Sequence, residues 1–360
     1  MSLPYLHPYL GLSNGLNTLH AAGGGAGGGI GGWVELGRIS GTGASSTMTV
    51  SSLADKRYYM FLLYSPQNAE HSIRFNGDTG SNYSSRESQN GSADGTRTSD
   101  VQMYIDPAYS GTTAKFSTGY IANYSTKEKL LISHTAEQRT AGASNAPQRW
   151  EVVAKHAQTS NPISSISAYT PTSNWTSNDE LVVLGYDPLD SHTNNFWEEL
   201  DSVTLSSSNS RILSNVFTSK KYIWIQVFGK AVNDAANWRF RVGYNTIDTG
   251  SNYANRQSQN GSADVTPTSD SKCDFGTSGL TVNTGAFANI FAINNASNEK
   301  LFITHSVKEE TAGATTAPVR TEGVHKWANT SNQFNIIEIE TNNGTSNFDT
   351  GSTMRIWGAN

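Results

Sequence analysis

The sequence predicts an all-β chain: two tandem antiparallel β-sandwich modules, jelly-roll-like in type, preceded by an extended glycine-rich arm. Three observations carry this reading. A 23-residue stretch recurs nearly unchanged 170 residues later, apolar residues in each copy recur with period two, and charged residues make up only 15% of the 360 positions. An ordinary globular chain is about 25% charged, and the deficit here is filled by Ser, Thr, Asn and Gly, the residues of polar turns between short strands.

The repeat fixes the organisation. Asp78 to Asp100 (DTGSNYSSRESQNGSADGTRTSD) returns as Asp248 to Asp270 (DTGSNYANRQSQNGSADVTPTSD), with 18 of 23 positions identical. Glu128-Lys129-Leu130 and His134 return as Glu299-Lys300-Leu301 and His305, and Thr140-Ala-Gly-Ala with Pro147 and Arg149 returns as Thr311-Ala-Gly-Ala with Pro318 and Arg320. Trp33 pairs with Trp197, Lys56-Arg57-Tyr58 with Lys220-Lys221-Tyr222, and Leu181–Gly185 with Met354–Gly358. A period of this length means tandem domains, because solenoid repeats run to about 20 to 50 residues. The chain also exceeds the roughly 250 to 300 residues that one core serves. The domains are therefore an arm and tether over 1–32, copy one over 33–190 and copy two over 191–360, each expected to fold on its own core.

The elements follow in order. Residues 23–32, GGGAGGGIGG, hold eight glycines in ten and read as a tether. Before them, Tyr5, Leu6, Tyr9, Leu10 and Leu12 form an apolar strip broken by Pro4, Pro8 and Gly11, an arm expected to order on a partner's surface through those side chains. In copy one, Tyr58–Tyr64 and Leu130–Ile132 are short aromatic or branched runs between turn residues, the look of core strands. In copy two, Tyr222–Phe228 and Leu301–Ile303 repeat them, while Trp238–Val242 and Ile336–Glu340 alternate strictly as half-buried strands do. About eight strands are expected per copy, and no segment reads as a helix.

Composition narrows the function. Hydrophobic residues at 36% and a net charge of −5 describe a chain that folds, and no run approaches the roughly 18 apolar residues of a membrane span. The basic residues are scattered, so nucleic acid is not an expected partner. The lone Cys273 offers neither a disulfide nor a cysteine zinc site, and Met1–Leu12 lack the basic start of a secretory signal, which points to synthesis for cytosolic use.

Candidate chemistry concentrates in the repeated stretch. Asp78, Asn82, Asp94 and Asp100, with Asp248, Asn252, Asp264 and Asp270, are oxygen groups that calcium accepts, but the EF-hand order is absent and the same residues make turns, so no cofactor is expected. A glycan could stack on Tyr83 or Tyr253 and bond to Arg86, Asn90, Arg256 or Asn260, since sugars need one apolar face with planar donors and acceptors. His134 and His305, near Glu137 and Glu309, could serve as bases, yet none of the Gly-x-Ser-x-Gly, His-Glu-x-x-His or P-loop patterns occurs, and the reading is non-enzymatic. Arg149 and Arg320 are expected to lie over a sheet or bridge to a carboxylate.

Trp33-Val-Glu-Leu-Gly-Arg, Asp55-Lys56-Arg57-Tyr58-Tyr59-Met60, Arg74-Phe75-Asn76 with Gly80-Ser81-Asn82-Tyr83, Asn90-Gly91, Glu128-Lys129-Leu130 and Ala141-Gly142-Ala143 with Ala146-Pro147 together resemble a domain that recurs in virion structural proteins of tailed bacteriophages, marine ones especially. Both copies share it, over residues 33–360; copy two departs with Leu200-Asp201-Ser202 and an insertion at Thr246-Ile247. The resemblance implies a non-enzymatic particle component made in the host cytoplasm and found in the virion. Its arm would insert into other virion proteins, and the chain would form a homo-oligomer, with a trimer favoured. The alternative is a tandem carbohydrate-binding protein that adsorbs to host glycans, where two copies add avidity.

Overall fold

The computed structural model describes residues 32–106, 114–190, 195–232, 237–275, 284–309, 314–341 and 347–360. The arm anchors Tyr5, Leu6, Tyr9, Leu10 and Leu12 lie outside the described residues.

Every regular element described is a strand. The first module holds β1 (Val34–Ser40), β2 (Thr47–Val50), β3 (Tyr58–Ser65), β4 (His71–Phe75), β5 (Tyr83–Gln89), β6 (Gly95–Asp100), β7 (Met103–Asp106), β8 (Lys115–Ala122), β9 (Lys129–Glu137), β10 (Gln148–His156), β11 (Ile166–Tyr169) and β12 (Glu180–Tyr186). The second holds β13 (Glu198–Thr204), β14 (Arg211–Leu213), β15 (Tyr222–Lys230), β16 (Trp238–Tyr244), β17 (Thr246–Ile247), β18 (Tyr253–Gln259), β19 (Cys273–Asp274), β20 (Gly285–Ile293), β21 (Lys300–Lys308), β22 (Val319–Trp327), β23 (Ile336–Thr341) and β24 (Thr353–Ala359). Among the described residues there are twelve per module rather than eight, because short polar edge strands such as β6 carry too little apolar pattern to stand out from loops.

Each module is a sandwich of antiparallel sheets. The first has a large sheet in the order β1-β12-β3-β8-β9-β10-β5-β6 over a small sheet β2-β11-β4-β7, and the second repeats this as β13-β24-β15-β20-β21-β22-β18 over β14-β23-β16-β17. The chain switches sheets at most steps, as in a jelly roll. Between the sheets of module one lie Tyr59, Phe61 and Leu63 from β3 against Ile73, Phe75 and Ile105 from the small sheet. In module two Ile223, Ile225 and Val227 face Phe240, Val242 and Ile339.

The modules do not stand apart. A third core forms between the outer faces of the two large sheets, with Met60, Leu62, Tyr64 and Phe116 from module one packed with Trp224, Phe291 and Leu301 from module two. This explains the continuous apolar run at 58–64: both faces of β3 are covered, so its pattern loses the alternation of a half-exposed strand. It also amends the two-core expectation. Each copy has its own core, yet each contributes half of a shared one.

Size is traded within this frame. Phe61 pairs in register with Gly119, and a Cβ on Gly119 would lie 2.1 Å from the Phe61 ring. The corresponding pair in module two is Ile225 with Ile290. One large and one absent side chain occupy the place of two medium ones.

Candidate functional site at the joint between modules

Strand register makes corresponding positions exact. Tyr58 pairs with Ala122 and Ala122 with Leu130, while Tyr222 pairs with Ile293 and Ile293 with Leu301. The outer face of each large sheet therefore has two comparable ends. The upper end carries Tyr64, Phe116, Ala136 and Arg149 in module one and Phe228, Phe287, Val307 and Arg320 in module two. The lower end carries Leu130, Ile132, Val153 and Lys155 in module one and Leu301, Ile303, Val324 and Lys326 in module two.

The joint uses the upper end of module one and the lower end of module two. Tyr64, Phe116 and Ala136 are at most 2% exposed, as are Leu301, Ile303 and Val324. The unused ends stay open: Leu130, Ile132 and Val153 are 50% to 55% exposed, and Phe228, Phe287 and Val307 are 40% to 46% exposed. The two modules thus bury unequal surfaces, whereas an exact two-fold contact would bury the same surface on both. Corresponding residues meet along the middle of the contact, at His134 and His305, whose ring centroids lie 4.2 Å apart, at Tyr120 and Phe291, 6.3 Å apart, and at Glu151 and Glu322.

Repeated polar residues hold the joint. Arg149 reaches Asp264 Oδ1 at 3.0 Å through Nη2 and Glu322 Oε2 at 3.5 Å through Nη1, with Glu151 at 2.9 Å beside it. Arg256 pairs with the second Asp264 oxygen at 3.3 Å and donates to the Pro147 carbonyl at 2.7 Å. Lys326 donates to the Thr140 carbonyl at 2.6 Å, the Gly142 amide to Glu299, and the Ser269 amide to the Ala143 carbonyl at 2.6 Å. Lys221 and Tyr222 both donate to Glu180 Oε1, at 2.8 and 2.6 Å. The Thr-Ala-Gly-Ala…Ala-Pro segment of module one is therefore the loop that docks on module two.

Burial sets the protonation of this cluster. Desolvation pushes the Glu151 carboxyl up to about 7, Arg149 working against it and Glu322 with it. Desolvation also holds the His134 imidazole well below its usual value, assisted by His305 and Arg149, and lowers His305 in the same way. Burial works to raise Glu180, but the hydrogen bonds from Lys221 and Tyr222 bring it below the ordinary carboxylate value. Arg149 and Arg256 compensate the carboxylates of this largely buried contact, which favours adhesion over catalysis.

The glycan residues are not gathered into a surface. Tyr83 and Tyr253 are fully buried, so neither ring offers a face to a sugar, contrary to the stacking expectation. Alternation on β5 and β18 turns both rings into the sandwich, where Tyr83 stacks on His156 at 4.5 Å and the Tyr253 hydroxyl donates to the Val242 carbonyl at 2.8 Å. Asn90 and Asn260 adopt left-handed φ of 53° in Asn-Gly turns, and their side chains accept from the Arg149 and Arg320 amides at 2.9 Å. Arg86 is exposed and paired with Asp94 at 3.3 Å, while Arg256 belongs to the joint.

The acidic repeat residues are turn-formers and ion-pair partners. Asp78 accepts from the Gly80 amide and the Asn82 side chain, both at 2.8 Å, and Asp248 does the same with Gly250 and Asn252. Among the described residues no group of three His, Cys, Asp or Glu is placed to hold a metal. Glu137 projects into its own module opposite Lys115, on the other side of the sheet from His134, because adjacent parities of β9 face opposite ways.

The small sheet of module two carries a second feature, an open groove of about 810 Å³ crossed by ion pairs. Arg211 and Arg241 both meet Glu338 at 3.2 Å, and Arg239 and Arg241 meet Glu340 at 3.0 and 2.8 Å.

No protein-family model and no curated protein matches the chain. Among solved structures, the LG4-5 domains of the mouse laminin alpha1 chain align over 93% of this chain and 91% of that one, at 8% identity and a TM-score of 0.20. The Neisserial surface protein NspA aligns over 80% and 99%, at 6% identity and a TM-score of 0.13. Likenesses this slight carry no argument about function.

Proposed function

We propose that the chain is a non-enzymatic structural protein of a virus particle of the tailed-bacteriophage kind, in which the double sandwich is a rigid building block and residues 1–32 anchor it to other virion proteins. One observation carries the reading: Arg149, Asp264, Glu299 and Lys326, each matched by the same residue type in the other copy, fasten one module to the other. The virion-domain resemblance of residues 33–360 supports the same view. A chain lacking residues 1–32 should fold and yet fail to enter particles; normal incorporation would overturn the anchoring role.

A carbohydrate-binding reading is favoured by one feature, the charged groove of module two, where Arg239, Arg241 and Glu340 offer the planar donors and acceptors that sugars use. Binding of residues 33–360 to a glycan array, lost in Arg241→Ala, would promote it over the structural reading.

A further inference from the structure

We propose that the chain docks onto a second copy of itself head to tail, the open upper end of module two seating on the open lower end of module one of the next chain, in the manner of the joint inside each chain. This deepens the building-block reading and rests on it.

The joint within the chain supplies the template. It consumes one upper and one lower end, so duplication leaves one of each unused. Those ends hold six of the thirteen large apolar side chains exposed among the described residues. The lower-end residues are identical in type to the ones already buried: Leu130, Ile132 and Val153 stand where Leu301, Ile303 and Val324 stand. At the upper end, Phe228, Phe287 and Val307 replace Tyr64, Phe116 and Ala136, apolar for apolar or nearly so.

The polar fastenings are duplicated as well. Arg320 corresponds to Arg149 and Asp94 to Asp264, and both are now exposed, with Arg320 turned to its neighbour Glu322 at 3.3 Å. Arg86 corresponds to Arg256, and the partner for it is the Pro318 carbonyl, the counterpart of Pro147. Ser99 keeps the left-handed φ of Ser269, 53° against 49°, and Ala314 stands in the place of Ala143. Beside these groups, Arg86, Leu130 and Val153 line an open groove of about 350 Å³ at the site that the docking loop occupies in module two.

The outer joint is narrower than the inner one. Gln226 and Arg355 stand where Leu62 and Val182 are buried, and Arg355 pairs with Glu199 at 3.0 Å. Association between chains is therefore reversible. A head-to-tail contact closes into a ring when its rotation permits and otherwise extends as a filament.

The test is sedimentation of the whole chain over a concentration series, with two variants at exposed positions. The wild type should associate as concentration rises. Phe287→Asp, which spoils the upper end, and Ile132→Asp, which spoils the lower, should each be monomeric with unchanged melting temperature. Mixed, they should form a one-to-one dimer that grows no further, since each contributes its intact end. A wild type that stays monomeric throughout, or one that meets only a different particle protein on these patches, would overturn the proposal. So would either variant self-associating like the wild type. Particle incorporation of a chain carrying both substitutions separates this failure from failure of the building-block reading.

Discussion

Arg149 of the first module is ion-paired with Asp264 of the second at 3.0 Å, whereas Arg320 and Asp94, which hold the same places in the repeat, are each exposed and paired inside their own module. The same two side chains are buried fastening in one setting and solvated surface in the other. The difference follows from which ends of the two sheets meet.

Arg149→Met should therefore cost about 3 kcal/mol, because it removes the cation that Glu151 is ion-paired with and leaves one oxygen of Asp264 without its guanidinium. Arg320→Met should cost no more than about 0.5 kcal/mol. Urea unfolding of the two variants measures both, and equal losses would show that Arg149 is not a fastening.

Glu151→Gln should stabilise the chain at alkaline pH and be nearly neutral in acid. The folded-state value of about 7 lies above the ordinary 4.5, so the folded chain holds the proton more tightly than the unfolded one between them. That contribution is fully present below 4.5 and is lost as pH rises through 7. Glutamine keeps the acceptor facing Arg149 and has no proton to lose. Unfolding free energies measured in urea from pH 4.5 to 8.5 should diverge in favour of the variant, by an amount on the order of 2 kcal/mol at the top. His134 and His305, held neutral by burial, act the other way: their contribution is lost as pH falls below about 6.5. Both chains carry them, so they cancel in the difference.

Gly119→Ala should destabilise the first module by roughly 2 kcal/mol or more through overpacking against Phe61. Adding Phe61→Leu should recover most of the loss, and a thermal melt of the pair reads it directly. If the double variant is no better than Gly119→Ala alone, the two residues do not share the space.

Much of this was legible in the sequence. Period two and the 170-residue repeat led to the all-β class and the tandem copies, and the assigned core strands lie in β3, β9, β15 and β21. The joint was legible only in part. Tyr58–Tyr64 is apolar on both parities while its counterpart is broken by Gln226, which marks β3 as covered on two sides, but no local pattern says what covers it. Tyr83 and Tyr253 were open to a ligand reading because an aromatic beside turn residues looks alike whether its ring faces solvent or core. Only the register of β5 and β18 decides which.

The joint is tested most directly by expressing residues 33–190 and 191–360 as separate chains and measuring whether they bind. A one-to-one complex is the expected result, with its affinity lost in Arg149→Glu and recovered in part when Asp264→Arg is added. Two fragments that fold but do not associate, or a complex indifferent to Arg149, would contradict the central claim that the repeated residues exist to fasten one module to the next.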